Sequence, residues 1–447
     1  MRSLLVVALL ASLAPGYRVE AHGGLPVTQG RLRSPATTTY YVPVAFWGLW
    51  IGEEGQPWTW ICEEVINTQR TRKFALSTDG TFYVTDAAGL ERSRDRGCTW
   101  TKVTNDEIGT RKMVDVTTGS DGASAWAVSA DGLPVGDGGV TDNTLFVTHD
   151  HGDSWARAGL GSTDRQLNSV RVAPSSDLVV YVTSVYGRGP FAPQIHRSGN
   201  GGVGFVTHPV DYLLDGIAPS DLQILAIDPR HPDVVYLRAQ MTSIVSGTEV
   251  ARQSLLRSID GGVTFTSLWT MDGQTTPSGQ SRGIDGVSVD VGRNQVFVAT
   301  AKGVLVGADP GAAPTVTLAA TGNLSQAQCI DVQGSAIYAC ANNYGPDFAA
   351  MARSDDGGKT FKSVLSFADT QGPVACPAGT PVGDQCPFYW LTYGEQLGIT
   401  MGTDGGVTPP MPGGCACELG GRQASPLLGL VMLCGLAVWW LRRRRAS

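Results

Sequence analysis

Charge is scarce in this chain. Asp, Glu, Lys and Arg together make up 16% of its 447 residues, and the 33 Lys and Arg residues form no stripe outside the extreme C-terminus. Phosphate backbones are bound by clustered Lys and Arg, so nucleic acid is not the expected partner. Histidine is scarcer still, with six residues. His149, His151, His196, His208 and His231 show no ligand spacing, which leaves a future N-terminal His22 without a second metal ligand. No Asp-x-Asp-x-Asp-Gly calcium loop and no nucleotide-binding Gly loop occurs. No metal and no cofactor are therefore expected. Long apolar runs are missing from the body of the chain and occur only at its two ends.

The first of these ends reads as a signal peptide over residues 1–21. Arg2 supplies the positive start, Leu4 to Leu13 the apolar stretch, and Val19-Glu20-Ala21 a small-residue cleavage site. At the other end, residues 403–425 form a Gly/Pro/Cys linker, followed by a transmembrane helix and Arg-rich tail over 426–445. The apolar run from Pro426 to Leu441 spans a bilayer only narrowly at about 1.5 Å per residue, with Arg442 to Arg445 on the cytoplasmic side. A plain anchor is one reading. The order Gly413-Gly414-Cys415-Ala416-Cys417, apolar run, Arg block closely resembles the myxobacterial MYXO-CTERM sorting tail. That resemblance implies a membrane-held precursor, cleavage near Cys415 and Cys417 by a sorting protease, and a final place at the outer cell surface.

Between the ends, 57 glycines suit many short strands and tight turns. Five segments share one eight-residue pattern: SRDRGCTW from Ser93, THDHGDSW from Thr148, SGNGGVGF from Ser198, SIDGGVTF from Ser258 and SDDGGKTF from Ser354. Their third positions, Asp95, Asp150, Asn200, Asp260 and Asp356, lie 55, 50, 60 and 96 residues apart. The last gap is nearly twice the others, so one repeat has lost its motif, and Gly303 to Val316 sits where it belongs. In such a turn the Asp accepts backbone N–H groups, the Gly takes a left-handed conformation, and the aromatic caps the strands. These acids hold turns and are not assigned catalysis.

The pattern resembles the Asp box of sialidase-like (BNR) propellers. The expected fold is all-β: a single Asp-box β-propeller over residues 36–402, a closed ring of seven four-stranded blades near 36–66, 72–105, 113–160, 167–212, 221–270, 284–320 and 327–368. Six or eight blades stay open, since the first and sixth lack a proper motif. Trp390 to Met401 is expected to pair with the first blade and close the ring.

Nine cysteines in an exported chain suggest disulfides. A two-residue turn at Gly334-Ser335 sets Cys329 opposite Cys340. Cys376 and Cys386 flank a Pro/Gly loop and are expected to pair, which leaves Cys62 for Cys98.

An enzyme of the resembled family would carry an Arg-Ile-Pro signature, three clamping arginines, an acid/base Asp and a Tyr–Glu pair. The signature is absent. Arg111, Arg171, Arg238 and Arg282 are available, but nothing in the sequence marks three of them as a clamp. Tyr393-Gly394-Glu395 could mimic the Tyr–Glu pair, which leaves Glu53 and Glu395 as weak catalytic candidates. Loops joining second to third strands emerge opposite the turn motifs and are long at Ser129–Asn143, Val185–Pro193, Gln240–Gln253 and Ala341–Ala349. They carry Tyr186, Arg188, Phe191, Arg252, Asn342, Asn343 and Tyr344, side chains suited to stacking and hydrogen bonding. Loop padding over the channel is the bland alternative. The expectation is a non-catalytic cell-surface module binding a glycan or a protein, with a secreted glycoside hydrolase as the runner-up.

Overall fold

The computed structural model describes residues 27–399, apart from 29, 34–37, 67–72, 87–88, 105–106, 110, 132–141, 187–192, 246–247, 273, 276–280, 310, 312, 314, 395 and 398. The signal, linker and tail segments, with Cys415 and Cys417, lie outside the described residues. Among the described residues, no helix is long and apolar enough to cross a membrane.

Six four-stranded antiparallel sheets follow one another along the chain, at 74–102, 113–162, 165–209, 221–272, 284–321 and 329–365. In each, the four strands are neighbours in chain order, the first innermost and the fourth outermost. A seventh sheet is built from both ends of the domain. Val27–Thr28 and Leu32–Arg33 pair with Tyr40–Ala45, which continues through Gly48–Gly52 to Trp58–Ile61. Thr370–Pro373 then adds outside Trp58–Ile61 in parallel. The result is an all-β, seven-bladed β-propeller. The N-terminal strands bridge to the last blade: Thr28 hydrogen-bonds Gln328 at 2.9 Å, and Arg31 pairs with Asp331.

Ring closure differs from expectation. Trp390–Tyr393 ends a helix, Pro381–Tyr393, rather than forming a strand. Thr380 caps it by accepting the Gly383 N–H at 3.1 Å, and Pro381 follows at the position where a missing N–H costs nothing. Val382, Cys386, Trp390 and Tyr393 recur at helical spacing and face the core of the first blade. The disulfides differ for the same reason. Cys329 and Cys340 are joined across their ladder. Cys386, however, bonds Cys62, and Cys376 bonds Cys98, so neither 376–386 nor 62–98 exists. Packing the helix on the first blade carries Cys386 and Cys376 to different blades, with Cα separations of 5.2 Å and 5.5 Å to their partners.

The turn motifs follow one hydrogen-bond scheme. The hydroxyl at the first position donates to the acid or Asn at the third (2.7–2.8 Å) and accepts the N–H of the Gly at the fifth (2.8–3.0 Å). The seventh N–H donates to the third side chain at 2.9 Å in all five. In four, the seventh hydroxyl donates to the second carboxylate oxygen. The degenerate turn lacks both halves of that last bond, having Asn200 and Gly204.

Strand register extends the rule to all seven blades. The residue before each motif pairs with an aromatic in the second strand: Tyr83 with Arg92, Trp126 with Val147, Tyr181 with Arg197, Tyr236 with Arg257, and Tyr338 with Arg353. In the blades without a motif, the same register pairs Tyr41 with Ile51 and Phe297 with Val306. Counting on from those pairs puts Glu54 and Asp309 at the acid's position. Asp309 accepts one N–H of its own turn, that of Gly311 at 3.1 Å, but both acids turn mainly to the blade before them. Glu54 reaches back to Arg353 and to the Tyr338 hydroxyl (2.9 Å) of the preceding blade. Asp309 reaches back to Arg257 (2.8 Å) and the Tyr236 hydroxyl (3.3 Å). The seven aromatics bear on the next blade: Trp126 donates to Gly201 O at 3.0 Å and Tyr181 to Pro232 O at 2.9 Å. A Cβ on Gly152 or Gly358 would come within 3 Å of Tyr83 or Phe297.

Candidate functional site

First strands end at the turns that share a face with the motifs, so they begin at the opposite face. From that end inward along the channel, four blades contribute charge. Asp115, almost fully buried, accepts from the Ser169 hydroxyl (2.9 Å), the Val170 N–H (3.0 Å) and Arg171 Nη1 (2.7 Å) of the next blade. Ser169 in turn accepts the Ile224 N–H at 3.3 Å. Asn168 donates to Asp221, whose other oxygen accepts from Arg238 Nη2 at 3.3 Å. Arg238 Nη1 also donates to Ile284 O at 3.4 Å and lies 3.9 Å from Asp285. Arg238 Nε and Asn168 Oδ1 are buried without a hydrogen bond among the described residues.

Lys73 stands at the start of the second blade's first strand. Its charge is felt with those of Asp115, Arg238, Arg171 and Asp221, which belong to the third, fifth, fourth and fifth blades. Blades two and five are not neighbours, so these charges act on Lys73 across the channel rather than through direct contacts. Desolvation pushes the Lys73 amine below its ordinary range, Asp115 opposes this, and Arg238 and Arg171 add to it. No ion pair or side-chain hydrogen bond of Lys73 is present among the described residues.

Two of the four arginines singled out in the sequence, Arg171 and Arg238, therefore converge. Arg111 does not: it is tied to Asp131 and Asp142 at the base of the 131–142 loop. The side chain of Arg282 lies outside the described residues, as do Arg188, Phe191 and the side chain of Tyr186.

The remaining loop candidates are fixed in place. Arg252 pairs with Asp215 and with Asp272 (3.0 Å). The segment read as a loop at Gln240–Gln253 is a continuous ladder out to Val245↔Thr248. Asn342 Oδ1 accepts the Tyr344 N–H at 3.1 Å, and Asn343 Oδ1 the Phe367 N–H at 2.9 Å. Tyr344 turns its ring toward Phe367, its hydroxyl is buried without a hydrogen bond among the described residues, and burial pushes its phenol above the usual range. The aromatic that this loop exposes is Phe348, at 69%, which was missed because its neighbours are richer in polar residues.

The catalytic candidates do not assemble. Glu53 is exposed in the turn between the third and fourth strands of the first blade, on the face away from the channel mouth. Glu395 lies outside the described residues. Tyr393 donates to Glu64 at 2.7 Å, and burial, with Glu64 beside it, pushes its phenol up, the opposite of an activated nucleophile. Ser184, His196 and Thr207 form a hydrogen-bonded row at 2.9 and 2.8 Å. Both Ser184 and His196 are enclosed in their blade, and burial holds the imidazole down to about 4. Among the described residues, no group of His, Cys, Asp or Glu is placed to hold a metal.

No family model matches the chain, and no curated protein does. Solved structures do resemble it. The Niastella koreensis GH74 enzyme is 14% identical over 75% of this chain and 62% of its own, with a TM-score of 0.36. Kuenenia stuttgartiensis hydrazine synthase is 12% identical over 73% and 96% (TM-score 0.49), and the Dos1 propeller 11% over 76% and 80% (TM-score 0.47). The chain thus spans under two thirds of the GH74 enzyme's length.

Proposed function

We propose that this chain is an exported propeller of the cell envelope that binds a glycan or a protein on the face opposite its turn motifs, without turning it over. One observation carries the reading. The motif face is committed to fixing turns, whereas the opposite face presents the extended hairpin that carries Arg252 and the loop that carries Phe348. Three disulfides suit an oxidising compartment. The kinship proposed is with Asp-box propellers, and the tail is a MYXO-CTERM signal that holds the precursor in the membrane until a protease cuts near Cys415.

Two experiments test this. The secreted protein, screened against glycans, peptides and chromogenic glycosides, should retain a ligand and release no product. A glycosidase rate abolished by Glu53→Gln would replace the reading with a glycoside hydrolase. Deleting residues 413–447 should release the propeller into the medium, and Cys415→Ala should leave an uncut, membrane-held precursor. Unchanged size and location after Cys415→Ala would leave only a plain anchor.

A further inference from the structure

We propose that the Cys98–Cys376 disulfide is a redox-sensitive strap on the motif face, opened by a dithiol reductant while the rest of the fold stays closed. Two disulfides fasten the segment that follows the last blade, and their surroundings differ. Cys62 and Cys386 are both fully buried. Their bond joins residues 324 apart in sequence and encloses blades two to seven in one covalent ring. Cys98 and Cys376 are both only partly buried. Cys98 is the sixth residue of the second blade's turn motif, close to the exposed Asp95 and Arg96, and Cys376 stands between the exposed Ala375 and Pro377. A thiolate opens a disulfide by reaching one of its sulfurs, so access decides which bond exchanges.

Local hydrogen bonding decides what opening releases. On the second-blade side the turn is held without the bond, because the Ser93 and Thr99 hydroxyls and the Thr99 N–H all donate to Asp95. On the other side two points are fixed. The Val374 N–H donates to Trp60 O at 2.9 Å, and the helix from Pro381 is capped by Thr380 and bonded through Cys386. Between them, Cys376 N–H donates to Val374 O (2.9 Å), Thr380 N–H to Pro377 O (3.2 Å) and Gly379 N–H to Asp384 (3.0 Å). None of these bonds reaches the second blade, so the disulfide is the covalent tie between residues 375–379 and that blade. In the opening step one thiolate of the reductant attacks a sulfur of the pair, forming a mixed disulfide and releasing the other cysteine as a thiolate. The reductant's second thiolate then displaces the bound cysteine. The reductant leaves as a cyclic disulfide, having given two electrons and two protons to Cys98 and Cys376. Reverse exchange with a disulfide oxidant closes the strap again.

The test is titration of the secreted protein with dithiothreitol, quenched with N-ethylmaleimide and read by peptide mapping, with tryptophan fluorescence recorded on the same samples. Cys98 and Cys376 should be labelled at a reductant concentration at least tenfold below that needed for Cys62 and Cys386, with native fluorescence. Backbone amides in 375–379 should then exchange hydrogen at least tenfold faster, while the Thr99 amide keeps its rate. The double variant Cys98→Ser with Cys376→Ser should fold and exchange like the opened wild type without added reductant. Labelling of both pairs at one concentration, labelling of Cys98 and Cys376 only as native fluorescence is lost, unchanged exchange in 375–379, or a double variant that fails to fold overturns the proposal. None of these readouts involves a ligand, so their failure and that of the binding reading are separate results.

Discussion

Truncating Asp309 should damage the fold far more than truncating the acid of a complete turn motif. Asp309 and Arg257 are both fully buried and lie 2.8 Å apart. The guanidinium also donates to Ala313 O at 2.6 Å and to Gly311 O, while Arg230 reaches the second carboxylate oxygen at 3.3 Å. The attraction itself is not what Asp309→Ala removes, because desolvating two ions offsets most of it. The loss comes from a guanidinium that stays buried without its counter-charge, and such deletions cost about 3–5 kcal/mol. Asp95 holds the Thr99 N–H and the Ser93 and Thr99 hydroxyls in a turn that water can reach. Asp95→Ala should therefore cost about 1 kcal/mol. The double variant Asp309→Leu with Arg257→Met replaces the pair by apolar groups and should recover more than half of the loss. Urea unfolding followed by tryptophan fluorescence reads all four proteins, with unfolding rates recorded because disulfide-bonded proteins of this size often unfold irreversibly. Equal midpoints for Asp309→Ala and Asp95→Ala would refute the argument that Asp309 balances a buried guanidinium. So would a double variant as unstable as the two single losses summed.

Two further outcomes follow from the same geometry. Partial burial raises the Asp150 carboxyl, but donors from Ser154 and Thr148 outweigh it and hold it at about 2. A depressed carboxyl stabilises the fold above its unfolded value near 4 and loses that contribution as pH falls toward 2. Asp150→Asn, the arrangement Asn200 already shows, should flatten the acid limb of the stability curve between about pH 4 and 2, measured by urea midpoints against pH. An unchanged limb would show that the turn acids do not set it. Peptide mapping without reductant should recover Cys62 linked to Cys386 and Cys98 to Cys376, and a 376–386 peptide would contradict the docked helix.

The fold was legible where local chemistry repeats. Five motifs and the strand runs between them located the blades, and a two-residue turn fixed Cys329 opposite Cys340. Ring closure was not legible, because it depends on which distant segments meet. Val27–Arg33 and Thr370–Pro373 are too short to stand out. The helix from Pro381 shows Thr-Pro at its start but also Pro387 inside it, a residue that argues against a helix. The aromatic rule was present in the sequence at Tyr41, Tyr83, Trp126, Tyr181, Tyr236, Phe297 and Tyr338. Spacing alone hid it, since loop lengths vary between strands and only register aligns the seven. The channel charges were hidden for the same reason: Lys73, Arg171 and Arg238 lie on three different blades and come to one channel only when the ring closes. The packing of Tyr344 toward Phe367 was not legible from residue type, because an aromatic in a polar loop can serve the core below it.

Where the ligand meets the propeller is tested most directly by retention of the best hit from the glycan and peptide screen on four variants with unchanged unfolding midpoints. Phe348→Ser and Arg252→Ala alter the face opposite the motifs. Val203→Ser and Val263→Ser alter exposed positions within the turn motifs themselves. The account predicts that the first pair weakens retention at least tenfold while the second pair leaves it unchanged. Normal retention by Phe348→Ser and Arg252→Ala, with loss in the turn-face variants, would contradict it and put the binding surface on the motif side.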